Sequence, residues 1–440
     1  MKKKYLYIII GVIFAITLGL FIAAFVLMYG GNNGGNGTGS NNPLLNLFPF
    51  GQPANPGGTT GTGTGTGNTG TPGTIPAQPI TNILRQISKT PTAGFLPTLR
   101  GNEIFVEYAE GETGNVFETK LSDMSRVRLS NALIPGVQEA FFGDNGKTAV
   151  LRYLEEGSDA IISYALNVSI PIKPNNTVII DASSTPDNKP NGTFLIKDIA
   201  SAIVSPDTSN MFFISSTADF ATRKTVGVLY DFKKGTYSTI FRSQFSEWLP
   251  IAYNGNIVIL QTKASQNVGG YLYSLNLKDG RFNRILSETK GLTALPSPDG
   301  KYILYSENTG GGFKTYIHDT TNNSSISIEP PTLAEKCVWK KDSSIVYCAA
   351  PQTIPFGQYP DSWYMSTISF NDSVWGIIPK TGGTYSLFTT TRANQSMDII
   401  NPTLSLDEQY FVFINKKDST LWMYDLSGIE EGEEEEYDET

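Results

Sequence analysis

The sequence predicts an all-β protein, and more narrowly a seven-bladed β-propeller built from four-stranded antiparallel blades. Three observations predict this fold. A chain of 440 residues exceeds the size at which a single hydrophobic core stops growing, so several domains or a repeat array is expected. The abundance of Gly, Thr, Ser, Asn, Tyr and Phe favours short strands joined by turns. A turn followed by an apolar run recurs seven times between Gly101 and Phe413.

The spacing of these recurrences indicates the size of one unit. Counted from the first apolar residue after each turn, the intervals are 45, 62, 46, 46, 42 and 66 residues. Four of the six lie near 45, the length of a propeller blade, and each longer interval holds an insertion of roughly 20 residues. The residues from which we count are Ile104, Ala149, Met211, Ile257, Ile303, Ile345 and Phe411.

The best preserved unit lies in the fifth position. Its turn and first β-run read Ser297-Pro298-Asp299-Gly300-Lys301-Tyr302-Ile303, and its next run reads Tyr316-Ile317-His318-Asp319. These residues resemble the WD-like propeller repeat of the TolB type, which is found in many bacterial envelope proteins. The resemblance covers residues 80–427 with varying quality. It implies a propeller that binds a protein or peptide outside the cytoplasm, and it does not imply an enzymatic reaction.

The ends of the repeat array predict how the ring closes. The seventh unit has no fourth strand of its own, because an acidic tail follows Leu426. The segment Asn82–Ser88 resembles the fourth-strand run Phe282–Ser287 and precedes the first unit. We therefore expect this N-terminal strand to complete the last blade, which would remove a free sheet edge. The predicted propeller extends over residues 79–427.

The segment before the propeller predicts a membrane anchor and a tether. Three lysines, Lys2 to Lys4, precede an uncharged apolar run over residues 5–29, which is long enough to span a bilayer. The position of the lysines predicts a single-pass protein with a cytoplasmic N-terminus and an extracytoplasmic propeller. Residues 30–78 are rich in Gly, Asn, Thr and Pro, which predicts a disordered linker. An apolar island, Leu44 to Phe50, interrupts it, and either rests on the bilayer surface or the propeller domain or is a short docking motif for a partner.

The acidic C-terminal tail covers residues 428–440. It carries eight carboxylates between Glu430 and Glu439 and no Lys or Arg. Such runs are typical of solvated, disordered tails, and capture of a basic partner is the alternative. The chain has no basic stripe and a net charge of −8, so we expect no nucleic-acid binding.

Residues that could carry catalysis or bind a metal are sparse. The single histidine, His318, has the register of Tyr230 and Tyr424 in their own units, which indicates an ordinary strand residue. No Gly-x-Ser-x-Gly elbow, zinc-binding cluster or phosphate-binding loop is present. The recurrent turn aspartates are too widely separated to bind calcium, so they are interpreted as turn caps. We therefore expect no catalytic residues, no metal and no cofactor.

The two cysteines, Cys337 and Cys348, flank the sixth turn. They fall opposite each other if the hairpin is centred on Asp342 and Ser343. In an oxidising compartment such a pair can form a cross-strand disulfide, and two buried thiols are the alternative.

The two insertions are where a binding site is most expected, because loops on a rigid scaffold carry most sites. The first, residues 169–194, is rich in Pro and Asn and uninformative. The second, residues 350–371, is rich in aromatic residues that resemble an exposed binding surface. The alternative is that these rings fold back over the sixth blade. The candidate binding residues are Phe356, Tyr359, Trp363, Tyr364 and Phe370.

These observations favour a membrane-anchored binding scaffold for a protein or peptide of the cell envelope. One alternative is a carbohydrate-binding or glycan-degrading propeller, for which we expect inward carboxylate pairs near one mouth of the channel. Another is a structural component of a surface layer or appendage.

Overall fold

The computed structural model describes residues 84–131, 133–168, 191–216, 225–389 and 396–427. The predicted membrane segment, linker and acidic tail lie outside these residues, as does most of the first insertion. No helix among the described residues is long and apolar enough to cross a membrane.

The described residues form 28 strands and two short helical turns. A 3₁₀ turn covers Ala334–Lys336, and a single α-helical turn, α1, covers Asp361–Tyr364. In chain order the strands are β1 (Leu84–Ser88), β2 (Thr92–Arg100), β3 (Glu103–Glu110), β4 (Val116–Lys120), β5 (Arg126–Arg128), β6 (Val137–Gly143), β7 (Thr148–Leu154), β8 (Ile161–Asn167), β9 (Gly192–Phe194), β10 (Ile199–Val204), β11 (Asn210–Ser216), β12 (Thr225–Asp231), β13 (Thr236–Ser243), β14 (Trp248–Asn254), β15 (Ile257–Thr262), β16 (Gly269–Asn276), β17 (Phe282–Lys290), β18 (Thr293–Pro296), β19 (Tyr302–Asn308), β20 (Phe313–Asp319), β21 (Ser324–Ile328), β22 (Cys337–Trp339), β23 (Val346–Pro351), β24 (Asp372–Ile377), β25 (Thr384–Thr389), β26 (Ile399–Leu404), β27 (Tyr410–Asn415) and β28 (Thr420–Asp425).

The strands form seven separate four-stranded antiparallel sheets, so the predicted seven-bladed propeller is confirmed. Blades one to six each use four consecutive strands, starting at β2, β6, β10, β14, β18 and β22. Six of the seven residues that defined the repeat lie in the second strand of their blade, and Ile345 directly precedes β23.

The seventh blade joins the two ends of the chain, as the sequence predicts. Its strand order is β1-β28-β27-β26, so the N-terminal strand is the outermost strand of the last blade. Leu84 pairs with Tyr424, and Ser88 pairs with Leu421. Ile87 is buried in the core, which gives β1 an apolar contact in addition to its backbone pairing.

Antiparallel pairing gives the ring two distinct faces. The turns between first and second strands lie on one of them, which we call the turn face. The loops between second and third strands and the connections between blades lie on the other, which we call the insertion face. Asp425 pairs with Tyr410 beside the last turn, and Leu84 pairs with Tyr424. The described chain therefore enters and leaves the ring on the turn face.

The turns of three blades have the same pattern of hydrogen bonds. In the fifth blade Ser297 donates its hydroxyl to Asp299 over 2.6 Å and accepts from the Tyr302 amide over 3.0 Å. Asp299 also accepts from the Lys301 amide over 3.0 Å, while Gly300 has a φ of 75° that few other residues adopt. The third and seventh blades repeat the serine and aspartate contacts. The interpretation of these aspartates as turn caps is confirmed.

The core consists of layers between neighbouring blades. Successive residues of a strand point to opposite sides, so Ile303 packs toward blade four and Leu304 packs toward blade six. His318 pairs with Ile303, as Tyr230 pairs with Met211 and Tyr424 with Phe411. The predicted register of the single histidine is therefore confirmed. Burial on both sides explains why the second strands are continuously apolar.

Removing the closing strand tests the ring. Deleting residues 79–90 exposes β28 and removes Ile87 from the core, so we expect the midpoint of thermal unfolding to fall by roughly 10 °C or more. Circular dichroism measures the transition. Deleting residues 61–67 of the Gly/Thr repeat is the matched control and should leave the midpoint unchanged. Equal midpoints for the two deletions would contradict the role of β1.

Candidate functional site

The second insertion lies on the insertion face between β23 and β24, where it covers residues 352–371. The five candidate aromatic residues differ in their exposure to solvent. Tyr359, Trp363 and Phe370 are buried and pack against Phe313 of blade five and against one another. Tyr364 is half-buried, whereas Phe356 is 88% exposed. Only Phe356 and part of Tyr364 are accessible to a ligand, and their binding role remains a prediction.

A buried ion cluster holds the insertion in place. Lys336 is fully buried and donates to Asp398 over 2.6 Å, to Asp372 over 2.9 Å and to the Ile399 carbonyl over 2.7 Å. Burial by itself lowers the pKa of Lys336, but the two carboxylates outweigh it and the pKa lies above its ordinary value. Lys336 is therefore charged inside the core.

Asp398 connects this lysine to the aromatic rings. It accepts hydrogen bonds from the Trp363 indole over 3.0 Å and from the Phe370 amide over 3.0 Å. The Lys336 ammonium also lies 4.9 Å from the Trp363 ring centroid, within cation–π range. Burial favours the neutral acid, yet Lys336 and these donors hold the pKa of Asp398 below its ordinary value. The insertion thus packs against the buried ion pair of Lys336 and Asp398 and stabilises its charges with hydrogen bonds and an aromatic ring.

The insertion also contacts the neighbouring blades. The Asn308 side chain of blade five donates to the Tyr359 carbonyl over 2.7 Å. The Gln266 amide of blade four donates to Asp361 over 2.7 Å. Lys416 of blade seven donates to Ser366 over 2.6 Å. One loop of blade six is therefore fixed to three other blades.

Cys337 and Cys348 form a disulfide at the base of the insertion. They pair directly across β22 and β23, the relation that the sequence predicts for a hairpin centred on Asp342 and Ser343. The bond joins the short first strand of blade six to the strand that leads into the insertion. It also follows directly after the 3₁₀ turn that carries Lys336.

A cavity of about 510 Å³ lies in the central channel. First strands of all seven blades contribute to its wall, and Ser246, Lys263 and Tyr364 come from loops of the insertion face. Its lining extends from these loops to Ile203 and Thr403, each one residue from the turn-face end of its first strand, so the cavity reaches from the insertion face into the channel. Apolar wall residues are Phe95, Phe141, Ile203, Trp248, Ile251 and Leu295.

Three glutamates line this cavity, and two of them have cationic partners. Glu139 contacts Arg152, a buried guanidinium that also donates to the Ala200 carbonyl over 3.2 Å. Glu247 lies 3.7 Å from Lys263. Burial raises the pKa of Glu139, although Arg152 opposes the shift.

Glu335, the third glutamate, has a different environment. One of its oxygens accepts a hydrogen bond from the Tyr364 hydroxyl, and the other, Oε2, is buried without a hydrogen-bond partner. Burial raises the pKa of Glu335 to about 7, and the Tyr364 hydrogen bond and the charge of Lys336 oppose this only in part. Burial and Glu335 together raise the pKa of Tyr364.

The sequence did not predict these glutamates as candidate site residues. Glu139 lies in β6, Glu247 directly precedes β14, and Glu335 is two residues before β22. The signal that could have found them is an acidic residue in or beside the apolar first strand of a unit. Among the described residues, no group of three His, Cys, Asp or Glu side chains is arranged to hold a metal ion.

Replacing Lys336 tests the ion cluster. Lys336→Met leaves Asp372 and Asp398 buried without their cation, so the free energy of unfolding should fall by about 3–5 kcal/mol. Urea unfolding at pH 7 measures the loss. The exposed Lys278→Met is the matched control and should change stability by less than about 0.5 kcal/mol. Similar losses for both variants would contradict the role of Lys336.

Replacing Glu335 tests its raised pKa. The folded-state pKa of about 7 exceeds the ordinary 4.5, so folded protein retains a proton that unfolded protein releases. This contribution is complete below about pH 4.5 and is lost as the pH rises through 7. Glu335→Gln cannot ionise, so its unfolding midpoint should match the natural protein near pH 4.5 and exceed it at pH 8. The exposed Glu156→Gln is the control, and a difference that does not vary with pH would refute the shift.

Comparison with known proteins supports the fold alone. No protein-family model and no curated protein sequence matches the chain. Solved propeller structures do match the chain, and three of them are described here. An oligogalacturonate lyase in complex with manganese is 11% identical, with a TM-score of 0.50 over 78% of this chain and 93% of the lyase. TolB from Acinetobacter baumannii is 13% identical, with a TM-score of 0.40 over 75% and 78%. The β-propeller domain of the Trilobed protease from Pyrococcus furiosus is 12% identical, with a TM-score of 0.45 over 76% and 96%. The likeness concerns the fold and carries no function.

Proposed function

We propose that this protein is a scaffold that binds a protein or peptide on the insertion face of its propeller. The distribution of exposed apolar side chains carries the proposal. Ten large apolar side chains are exposed among the described residues. Six lie in loops of the insertion face, two, Leu99 and Leu406, lie at the turn face, and two, Phe194 and Tyr237, lie in fourth strands. The six are Leu133, Ile196, Phe245, Val268, Phe356 and Met365.

Phe356 is the most exposed of these side chains and has a fixed support. Its ring lies against Gly311, where an added Cβ would come within 2.4 Å of it. The next residue, Gly357, donates its amide to the Gly311 carbonyl over 3.1 Å. An aromatic ring held in place by its loop loses little entropy on binding, which favours a role as an anchor for a partner.

The proposal includes a location at the membrane, outside the cytoplasm. Residues 1–29 have the composition of a membrane anchor with cytoplasmic lysines. The Cys337–Cys348 disulfide supports an oxidising compartment. The partner would accordingly be a protein or peptide of the cell envelope, and no catalytic reaction forms part of the proposal.

The cavity carboxylates favour a second candidate function, the binding or cleavage of glycans. Glu139, Glu247 and Glu335 line one end of the channel, which is where a glycan-degrading propeller would need inward carboxylates. Incubation with oligosaccharides of the cell wall distinguishes the two functions. A glycan-degrading protein would shorten them and lose this activity in Glu335→Gln, whereas a protein-binding scaffold would leave them intact.

Site-specific crosslinking in the native membrane tests the leading proposal. A photoreactive phenylalanine analogue placed at Phe356 should give adducts with a partner, because this side chain projects from the insertion face. The same analogue at Leu406 on the turn face is the matched control and should give few adducts. Adducts only from position 406, or equal adducts from both positions, would refute binding on the insertion face.

A further inference from the structure

The charges that the described residues contribute to the channel cavity do not balance. Its walls carry three carboxylates, from Glu139, Glu247 and Glu335. Two cations face them, because Arg152 contacts Glu139 and Lys263 lies 3.7 Å from Glu247. When all five groups are charged, one negative charge remains, and it lies on Glu335.

Among the described residues, no neighbouring group supplies the missing cation. Lys336 follows Glu335 in the chain, but its ammonium donates to Asp398, Asp372 and the Ile399 carbonyl. Tyr364 donates a neutral hydroxyl to one Glu335 oxygen. The other oxygen, Oε2, is buried with no hydrogen-bond donor. A buried carboxylate oxygen of this kind is costly unless a donor reaches it.

The form of the cavity limits which donor could reach Glu335. Its volume of about 510 Å³ lies within the range of small-molecule sites, and apolar residues such as Phe95, Ile203 and Leu295 form much of the wall. Such a wall suits the aliphatic stem of a long side chain, while the charged head meets the carboxylate. A neutral polar group would leave the charge of Glu335 unmatched.

We propose that this cavity binds an ammonium or guanidinium group on an aliphatic stem, with Glu335 as its counter-ion and Tyr364 as the residue that orients the carboxylate. The inference rests on the proposed function, because it assigns the cation to a Lys or Arg side chain of the bound peptide. Charge pairing in a partly desolvated cavity would then select partners that present a basic residue to the channel.

Binding of three small probes to the full chain tests the site. The probes are the capped peptides acetyl-Gly-Lys-Gly-amide and acetyl-Gly-Gln-Gly-amide, and butylammonium chloride. Ligand-observed NMR titration at pH 8 measures their affinities, since Glu335 is ionised there. We expect the lysyl peptide to bind and the glutaminyl peptide to bind at least roughly tenfold more weakly. Butylammonium distinguishes a free amine from a cation carried by a peptide.

Matched variants connect the binding to Glu335. Glu335→Gln should weaken the lysyl peptide by roughly tenfold or more, while Glu156→Gln, an exposed glutamate outside the cavity, should not. Circular dichroism confirms that both variants fold. Binding of the lysyl peptide that is unaffected by Glu335→Gln, or equal binding of both peptides, would overturn the inference.

Failure of the cation site can be distinguished from failure of the proposed function. Crosslinking at Phe356 without any binding of the ammonium probes would overturn the cation site and leave the scaffold role intact. Binding of the lysyl peptide that exceeds that of butylammonium supports a cation carried by a peptide. Equal binding of these two overturns that assignment while keeping a cation site for free amines.

Discussion

Closure of the ring is the constraint on which the rest of this structure depends. Every blade buries both of its sides, so each needs a neighbour on the left and on the right. An open ring would expose two apolar sides together. β1 prevents this by adding a strand from one end of the chain to three strands from the other. Each of the seven blades then packs against a neighbour on both sides, and the channel acquires a wall to which each first strand contributes.

Within that ring, the 3₁₀ turn Ala334–Lys336 places two adjacent charged residues in different environments. Lys336 points into the core, where two carboxylates compensate it and Trp363 lies against it. Glu335 lies on the channel wall, where no described cation forms a salt bridge with it. The first arrangement makes the insertion a fixed part of the propeller, because removing Lys336 would leave two buried carboxylates without their cation. The second leaves the charge of Glu335 only partly compensated, at the insertion-face end of the channel. In this turn Lys336 stabilises the fold, while the adjacent Glu335 carries the cation binding that we propose.

Local sequence signals predicted much of this fold. Turn chemistry such as Ser297 with Asp299 acts over a few residues, and its recurrence was enough to give seven blades, the closing strand and the strand register of His318. The candidate site depends on contacts between distant residues. Trp363 is buried because Asp398, 35 positions later, accepts its indole hydrogen, while Phe356 is exposed although its residue type is equally apolar. The direction of Glu335 follows from the phase of one helical turn. Neither composition nor spacing carries that information.

The position of the chain ends has a mechanical consequence. Strand β1 runs from Leu84 at the turn face toward Ser88 near the insertion face, antiparallel to β28. A force that pulls the chain before Leu84 away from the turn face therefore acts along the axis of β1. It stretches the hydrogen bonds between β1 and β28 together, in shear, rather than opening them one after another from an end. A propeller held by its N-terminal segment would resist tension through the same strand that completes its ring.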